Sequence, residues 1–109
     1  MNTFLFVCSA NMLRSPTAEH VARSMGFSAD SAGSWVSLAV RPLTREAIER
    51  AEFIVCMEEH HALAVQALVP AAKPEIWNIP DEFNYCEKKL IDLISKKLSQ
   101  HQVTGGMKK

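Results

Sequence analysis

The segment TFLFVCSANMLRSPTAEHVARSMG, residues 3–26, carries the signals that decide the fold. It begins with a continuous apolar run, residues 3–9, which is typical of a parallel strand buried on both faces. After a short loop, Ser15 as N-cap and Pro16 at the first helical position predict a helix that Gly26 terminates. The segment therefore predicts a strand, a tight loop and a helix in succession.

The remainder of the chain repeats this alternation. Three further strands are predicted, at residues 27–33, at the apolar run 52–57 and at residues 73–79. Three further helices are predicted, at residues 42–51, 58–69 and 87–100. Repeated strand–helix units predict an α/β fold, a small doubly wound four-stranded parallel sheet with helices on both faces. Ligands of such sheets bind beyond the carboxyl ends of the strands. The loop from Cys8 to Ser15 lies at that edge.

Composition narrows the class of protein. The 109 residues predict a single domain over residues 1–103 and a flexible tail over 104–109. Twelve Lys and Arg balance twelve Asp and Glu, which favours neither a nucleic-acid nor a membrane partner. Neither a signal-peptide pattern nor a membrane-length apolar segment is found, and three cysteines without CxxC spacing fit a reducing compartment. We therefore expect a cytoplasmic protein, whose oligomeric state the sequence leaves open.

The loop after the first strand has the composition of a phosphate site. Five residues separate Cys8 from Arg14, enough for a tight loop whose backbone N–H groups converge beside a helix N-terminus and bind an anion. Such a site favours the thiolate of Cys8, the species that attacks, while Arg14 can bind two phosphate oxygens at once. A free cysteine is commonly a small buried hydrophobe. The position of Cys8 between a buried strand and a helix start favours a nucleophile.

The pattern Cys8, five residues, Arg14, Ser15 and Pro16, in CSANMLRSP followed by TAEHVAR, resembles the low-molecular-weight protein tyrosine phosphatases. The likeness continues through three more stretches: DSAG at 30–33, SLAVRPLTREAIERAEFIVCMEE at 37–59 and, more loosely, IPDEF at 79–83. The chain would be a shortened member, because the segment between the DSAG motif and residue 37 is brief.

This resemblance implies roles for the loop residues. Cys8 would form a phosphocysteine intermediate, and Arg14 would bind the phosphoryl group. Asn11 would adopt a left-handed conformation, which asparagine tolerates, and would be held by Ser15 and Ser31. The phosphate-binding residues would be Ser9, Ala10, Asn11, Met12, Leu13, Arg14 and Ser15.

The resemblance also predicts a general acid in NIPDEFNY. Asp81 would protonate the leaving phenolate and then act as base for the attacking water. Its neighbour Glu82 is the rival candidate. On local sequence alone, Asp81 is equally well explained as a turn residue after Pro80.

Three aromatic residues are candidates for a substrate wall that stacks on a phosphotyrosine ring. Trp35 is the first choice, with Phe83 and then Tyr85 behind it, although a lone aromatic more commonly serves packing. Met12 is a bulky apolar residue in the loop, which favours phosphotyrosine over phosphoarginine as substrate. Leu38 stands where many members of the family have a histidine that positions the loop asparagine.

Metal and cofactor chemistry are not indicated by the remaining candidates. His60 and His61 are adjacent, so they point in different directions on a helix and make a poor metal pair. Cys56 lies inside the apolar run FIVCM and is predicted to be an inert core thiol. We expect neither a metal nor a cofactor.

The predicted activity is hydrolysis of phosphotyrosine or related aryl phosphate monoesters. The partner would be a phosphotyrosine-containing protein or a small aryl phosphate. One alternative is a thiol-dependent arsenate reductase in which Cys86 or Cys56 resolves Cys8. Such enzymes carry a pair of closely spaced cysteines after the third strand, whereas 30 residues separate Cys56 from Cys86 here. The other is a phosphate- or phosphopeptide-binding module without catalysis.

Overall fold

The computed structural model describes residues 3–35, 37–80 and 82–107, the last six of these by their backbone alone. In this part of the chain four strands alternate with four helices. The strands are β1 (Thr3–Cys8), β2 (Ser28–Gly33), β3 (Phe53–Cys56) and β4 (Glu75–Ile76), and the helices are α1 (Arg14–Ser24), α2 (Arg45–Arg50), α3 (Glu59–Leu68) and α4 (Lys88–Met107). All strand pairs are parallel and the order is β2-β1-β3-β4, which confirms the predicted sheet.

Strand β1 is the centre of the molecule. It pairs with β2 along its whole length and with β3 from Phe4 to Val7. Phe4, Phe6 and Cys8 face a core that α1 and α4 cover, whereas Leu5 and Val7 face a second core with α2 and α3. Burial on both faces explains the continuous apolar run, since each large side chain removed from water stabilises the fold by roughly 1.5–3 kcal/mol.

The strand order determines where along the sheet a ligand can bind. The chain passes from β1 to β2 on one side and later enters β3 on the other side of β1. The loop after Cys8 and the turn after Cys56 therefore meet at the switch point beyond the carboxyl ends of the strands.

Helix α1 begins two residues earlier than predicted. Leu13 occupies the N-cap position, without a side-chain cap, and the helix starts at Arg14. The prediction of Ser15 as N-cap is therefore wrong, because its hydroxyl is turned into the protein toward Cys8. Gly26, at φ 92°, ends the helix as expected, since glycine adopts the left-handed region without steric cost.

The second helix and the fourth strand are shorter than predicted. Thr44 caps α2 by accepting a hydrogen bond from the Ala47 N–H at 3.1 Å, so Leu43 lies outside the helix although it is buried beside it. Strand β4 has two residues and pairs with β3 alone, at one edge of the sheet. Beyond it, the Trp77 N–H still donates to the Cys56 carbonyl at 2.9 Å.

Helix α4 is longer than predicted. It covers the sheet with Leu90, Ile94 and Leu98, which are fully buried. It extends past residue 100 to Met107, into the segment 104–109 that the sequence predicts to be a tail. Across the described residues, no helix is long and apolar enough to span a membrane.

Gly33, at the end of β2, is approached so closely by its neighbours that a larger residue should destabilise the fold. A Cβ on Gly33 would lie 2.5 Å from the Ala39 Cβ and 2.6 Å from the Ser9 carbonyl oxygen. Because one of these atoms is backbone, we expect Gly33→Ala to lower the free energy of unfolding by about 1–3 kcal/mol. Denaturant unfolding would measure this, with Ser28→Ala on an exposed position of the same strand as control. Equal stability of the two variants would contradict the predicted clash.

Candidate active site

The loop after β1, residues 9–13, turns its carbonyl groups outward. The carbonyl oxygens of Cys8, Ser9 and Ala10 accept hydrogen bonds of 2.8–3.1 Å from backbone N–H groups in segment 34–40. A trans peptide points its N–H away from its C=O, so the N–H groups of residues 9–11 face the opposite side of the loop. Successive N–H groups presented on one side form a nest that binds an anion.

Asn11 fixes the shape of the loop. Its φ is 57°, in the left-handed region, and it is 2% exposed. Its Nδ2 donates to Ser15 Oγ and to Ser31 Oγ, both at 2.9 Å, and its Oδ1 accepts the Arg41 backbone N–H at 3.1 Å. The residues that the family resemblance groups around Asn11 are therefore in contact.

Arg41 and Glu19 complete this network, and the sequence reasoning missed both. Ser31 Oγ donates to Glu19 Oε1 at 2.6 Å, while Arg41 Nη2 donates to Ser31 Oγ at 2.8 Å and pairs with the Glu19 carboxylate. Leu38, where the family has its supporting histidine, is 67% exposed. Glu19 lies one helical turn after Ser15, so a carboxylate on that inner face could have signalled a buried partner.

Cys8 and Ser15 are in direct contact. The Cys8 thiol is 3% exposed and its Sγ lies 2.9 Å from Ser15 Oγ. Ser15 Oγ accepts a hydrogen bond from Asn11, so its own proton is available to two acceptors, the sulfur at 2.9 Å and the Ala32 carbonyl at 3.5 Å. A donor directed at the sulfur stabilises negative charge on it.

Arg14 is almost fully buried and is held from two strand ends. Its Nη1 donates to Glu58 Oε2 at 2.5 Å and to the Ile79 carbonyl at 2.8 Å. The hydrogen bond from Arg14 lowers the pKa of the Glu58 carboxyl below its ordinary value. The pairing compensates the buried charge and orients the guanidinium group.

A small cavity lies against the loop. Its volume is about 140 Å³ and it is lined by Cys8, Ser9, Ala10, Met12, Leu13, Arg14 and Trp35. Met12 and Trp35, which are 58% and 57% exposed, are the most exposed apolar side chains of this lining. Phe83 lies elsewhere, packed against the core between the sheet and α4.

Comparisons with known proteins agree with this geometry. The chain matches no protein-family model, and no curated protein matches its sequence. Among solved structures, a low-molecular-weight protein tyrosine phosphatase from Streptococcus pyogenes has a TM-score of 0.74 at 16% identity, over 95% of this chain and 93% of that chain. The chain has the fold of the low-molecular-weight protein tyrosine phosphatases.

Two further structures with this phosphatase fold have bound ligands. The tyrosine phosphatase Wzb from Escherichia coli K30, in complex with phosphate, has a TM-score of 0.69 at 18% identity, over 87% of this chain and 91% of that chain. Wzb from Vibrio vulnificus, in complex with benzylphosphonate, has a TM-score of 0.66 at 21% identity, over 87% of this chain and 92% of that chain. The phosphatase fold predicted from the Cys8 loop is confirmed.

Of the two candidate acids, Asp81 and Glu82, only Glu82 lies among the described residues. Asp81 lies outside the described residues, so its role remains a prediction. Glu82 is exposed and lines a groove with α4 residues, whereas it is not among the residues that line the Cys8 cavity.

The other two cysteines lie in different surroundings. Cys56 is fully buried on the opposite face of the sheet from Cys8, and burial raises the pKa of its thiol to about 12. Cys86 is half-buried at φ 55°, and its N–H donates to Thr17 Oγ1 at 2.9 Å.

His61 is a further residue whose role the sequence did not reveal. It is fully buried at the start of α3, where its Nδ1 accepts the Glu58 N–H at 3.0 Å and its Nε2 lies 3.0 Å from Ser9 Oγ. Burial lowers its pKa to about 4, with smaller contributions from the positive charges of His60 and Arg14. His61 is therefore neutral at pH 7.

One group of potential metal ligands is found among the described residues. Ligand-type atoms of Glu58, His60 and His61 lie within 4.8 Å of one another. The Glu58 carboxylate is already paired with Arg14, and both ring nitrogens of His61 are in hydrogen bonds. These contacts would have to break before a metal could bind, so the group is better explained by support of the loop.

The buried His61 makes stability depend on pH. Its pKa is about 4 in the folded protein and 6.5 ordinarily, so between these values the unfolded chain binds a proton that the folded chain does not. Acidification through this window should remove about 3 kcal/mol of the free energy of unfolding.

Denaturant titrations from pH 7 to pH 4 would test this dependence. We expect the free energy of unfolding to depend on pH much less in His61→Gln than in wild type. The control His60→Gln, at an exposed position, should keep the wild-type dependence. An unchanged slope in His61→Gln would contradict the assignment.

Proposed function

We propose that the protein is a phosphatase that hydrolyses aryl phosphate monoesters such as phosphotyrosine through a phosphocysteine on Cys8. The observation that carries the proposal is a loop with Cys8 at its start and Arg14 at its end, both lining one cavity. The loop is held in shape by the left-handed Asn11. The phosphatase fold of the neighbouring structures, two of which hold phosphate or benzylphosphonate, supports the same conclusion.

In the first step the Cys8 sulfur attacks phosphorus and the bond from phosphorus to the aryl oxygen breaks. The leaving oxygen takes the electron pair of that bond and a proton from the Asp81 carboxyl. Arg14 and the loop N–H groups stabilise the charge that spreads over the equatorial oxygens. The covalent product is phosphocysteine.

In the second step water attacks phosphorus on the same intermediate. Asp81, now a carboxylate, takes the proton of the water, and the bond from phosphorus to sulfur breaks. The electron pair returns to the Cys8 sulfur, which the Ser15 hydroxyl stabilises through the 2.9 Å contact. The products are inorganic phosphate and free enzyme.

The choice of Asp81 as acid is supported by the segment that precedes it. Ile79 lies two residues before Asp81, and its carbonyl accepts a hydrogen bond from Arg14 at 2.8 Å. This bond anchors the segment beside the loop. Glu82 lines the groove on α4 instead, which disfavours the rival assignment.

The cavity favours an aryl substrate. A volume of about 140 Å³ suits a phosphoryl group, while the exposed apolar surface of Trp35 and Met12 can contact a ring that extends from it. The substrate would be a phosphotyrosine-containing protein or a small aryl phosphate.

The arsenate reductase alternative is not favoured. A thiol relay needs a second cysteine that reaches the first. Cys56 is fully buried in the core on the other face of the sheet, with its pKa raised to about 12 by burial, so it is neither accessible nor ionised. Cys86 is half-buried and stays the other candidate thiol, but the solved structures with this fold are tyrosine phosphatases.

Hydrolysis of a chromogenic aryl phosphate tests the proposal. We expect wild type to turn over, Cys8→Ser to fall to background, and Arg14→Lys to lose about 100-fold or more in kcat because lysine cannot bind two oxygens in one plane. Asp81→Asn should lower kcat by about 100-fold or more for a poor leaving group, with Glu82→Gln as the matched control.

Three results would contradict these assignments. Undetectable wild-type turnover, or normal turnover by Cys8→Ser, would exclude the phosphocysteine mechanism. Loss of activity in Glu82→Gln instead of Asp81→Asn would transfer the acid to Glu82.

A further inference from the structure

Residues 57–61, the turn after β3 and the start of α3, contact both ends of the loop between Cys8 and Arg14. The Glu58 carboxylate pairs with Arg14 at the end of the loop. His61, three residues later, contacts Ser9 at its start. The contact with Glu58 holds Arg14, which the proposed mechanism uses. The contact between His61 and Ser9 has no role in that mechanism.

The contacts of His61 define which ring nitrogen carries the proton. The Glu58 backbone N–H can only donate, so the His61 Nδ1 that lies 3.0 Å from it must accept and is unprotonated. The neutral ring then carries its proton on Nε2. That nitrogen lies 3.0 Å from Ser9 Oγ, to which it donates.

The direction of the hydrogen bond from His61 to Ser9 leaves the proton of the Ser9 hydroxyl available for another acceptor. A hydroxyl has one proton to donate, and Ser9 Oγ uses a lone pair to accept the bond from His61. Its own proton is therefore free of His61. Ser9 lines the cavity together with Cys8 and Arg14.

We propose that the Ser9 hydroxyl donates a hydrogen bond to a phosphoryl oxygen bound in this cavity, with His61 as the positioning residue that fixes its direction. The inference rests on the proposed function and adds a side-chain donor to the N–H groups of the loop. Because the acceptor is an anion, the bond is of the stronger, charge-assisted kind.

Binding of inorganic phosphate, measured as its competitive inhibition constant and by calorimetry, tests the inference. We expect Ser9→Ala to weaken phosphate binding by about tenfold or more, as for a lost hydrogen bond to a charged group. Ser9→Thr keeps the hydroxyl and should bind within about threefold of wild type. Ser28→Ala, which removes an exposed hydroxyl on β2 away from the cavity, should leave binding unchanged.

The role of His61 has its own readout. Nitrogen-15 NMR of the histidine ring should give a protonated Nε2 and an unprotonated Nδ1. The effects of Ser9→Ala and His61→Phe on phosphate binding should be strongly non-additive, because the second substitution disturbs the donor that the first removes.

Three results would overturn the inference. Wild-type phosphate affinity in Ser9→Ala would exclude the hydrogen bond while leaving the proposed phosphatase activity intact. Equal losses in Ser9→Thr and Ser9→Ala would assign the effect to packing, and a proton on Nδ1 of His61 would exclude the positioning role. If wild type neither binds phosphate nor hydrolyses an aryl phosphate, the proposed function itself fails.

Discussion

The hydrogen bonds of the Asn11 side chain are the constraint on which the loop depends. A left-handed residue costs of the order of 1–2 kcal/mol, and here it reverses the chain between a strand and a helix. Three contacts offset this cost, from the hydroxyls of Ser15 and Ser31 and from the backbone of Arg41. They also turn the loop carbonyls outward and leave the N–H groups to face an anion.

Around this centre, charge is arranged in two separate systems. On one side Glu19 pairs with Arg41 and Arg23 and supports Asn11 through Ser31. On the other side Glu58 pairs with Arg14, which the reaction would use. Separate carboxylates would allow the loop to keep its shape while the Arg14 guanidinium group of the proposed mechanism exchanges Glu58 for a substrate.

The sequence predicted the parts of the site that local patterns encode. The buried run of β1, the glycine at the end of α1 and the spacing of Cys8 and Arg14 are each signals within a few residues. Ser15 was misassigned as an N-cap because the pattern of a cap does not reveal that its hydroxyl contacts Cys8. The roles of Arg41 and His61 were missed because they arise from contacts between residues 30 and 52 positions apart.

The central claim is that this loop makes Cys8 a nucleophile toward phosphorus. Mass spectrometry of the protein after a rapid denaturing quench during turnover of an aryl phosphate tests it most directly. We expect a phosphoryl group on the peptide that contains Cys8, and we expect no phosphoryl group on the same peptide of Cys8→Ser. Turnover without any phosphorylated Cys8 peptide, under conditions in which formation of the intermediate outpaces its hydrolysis, would contradict it.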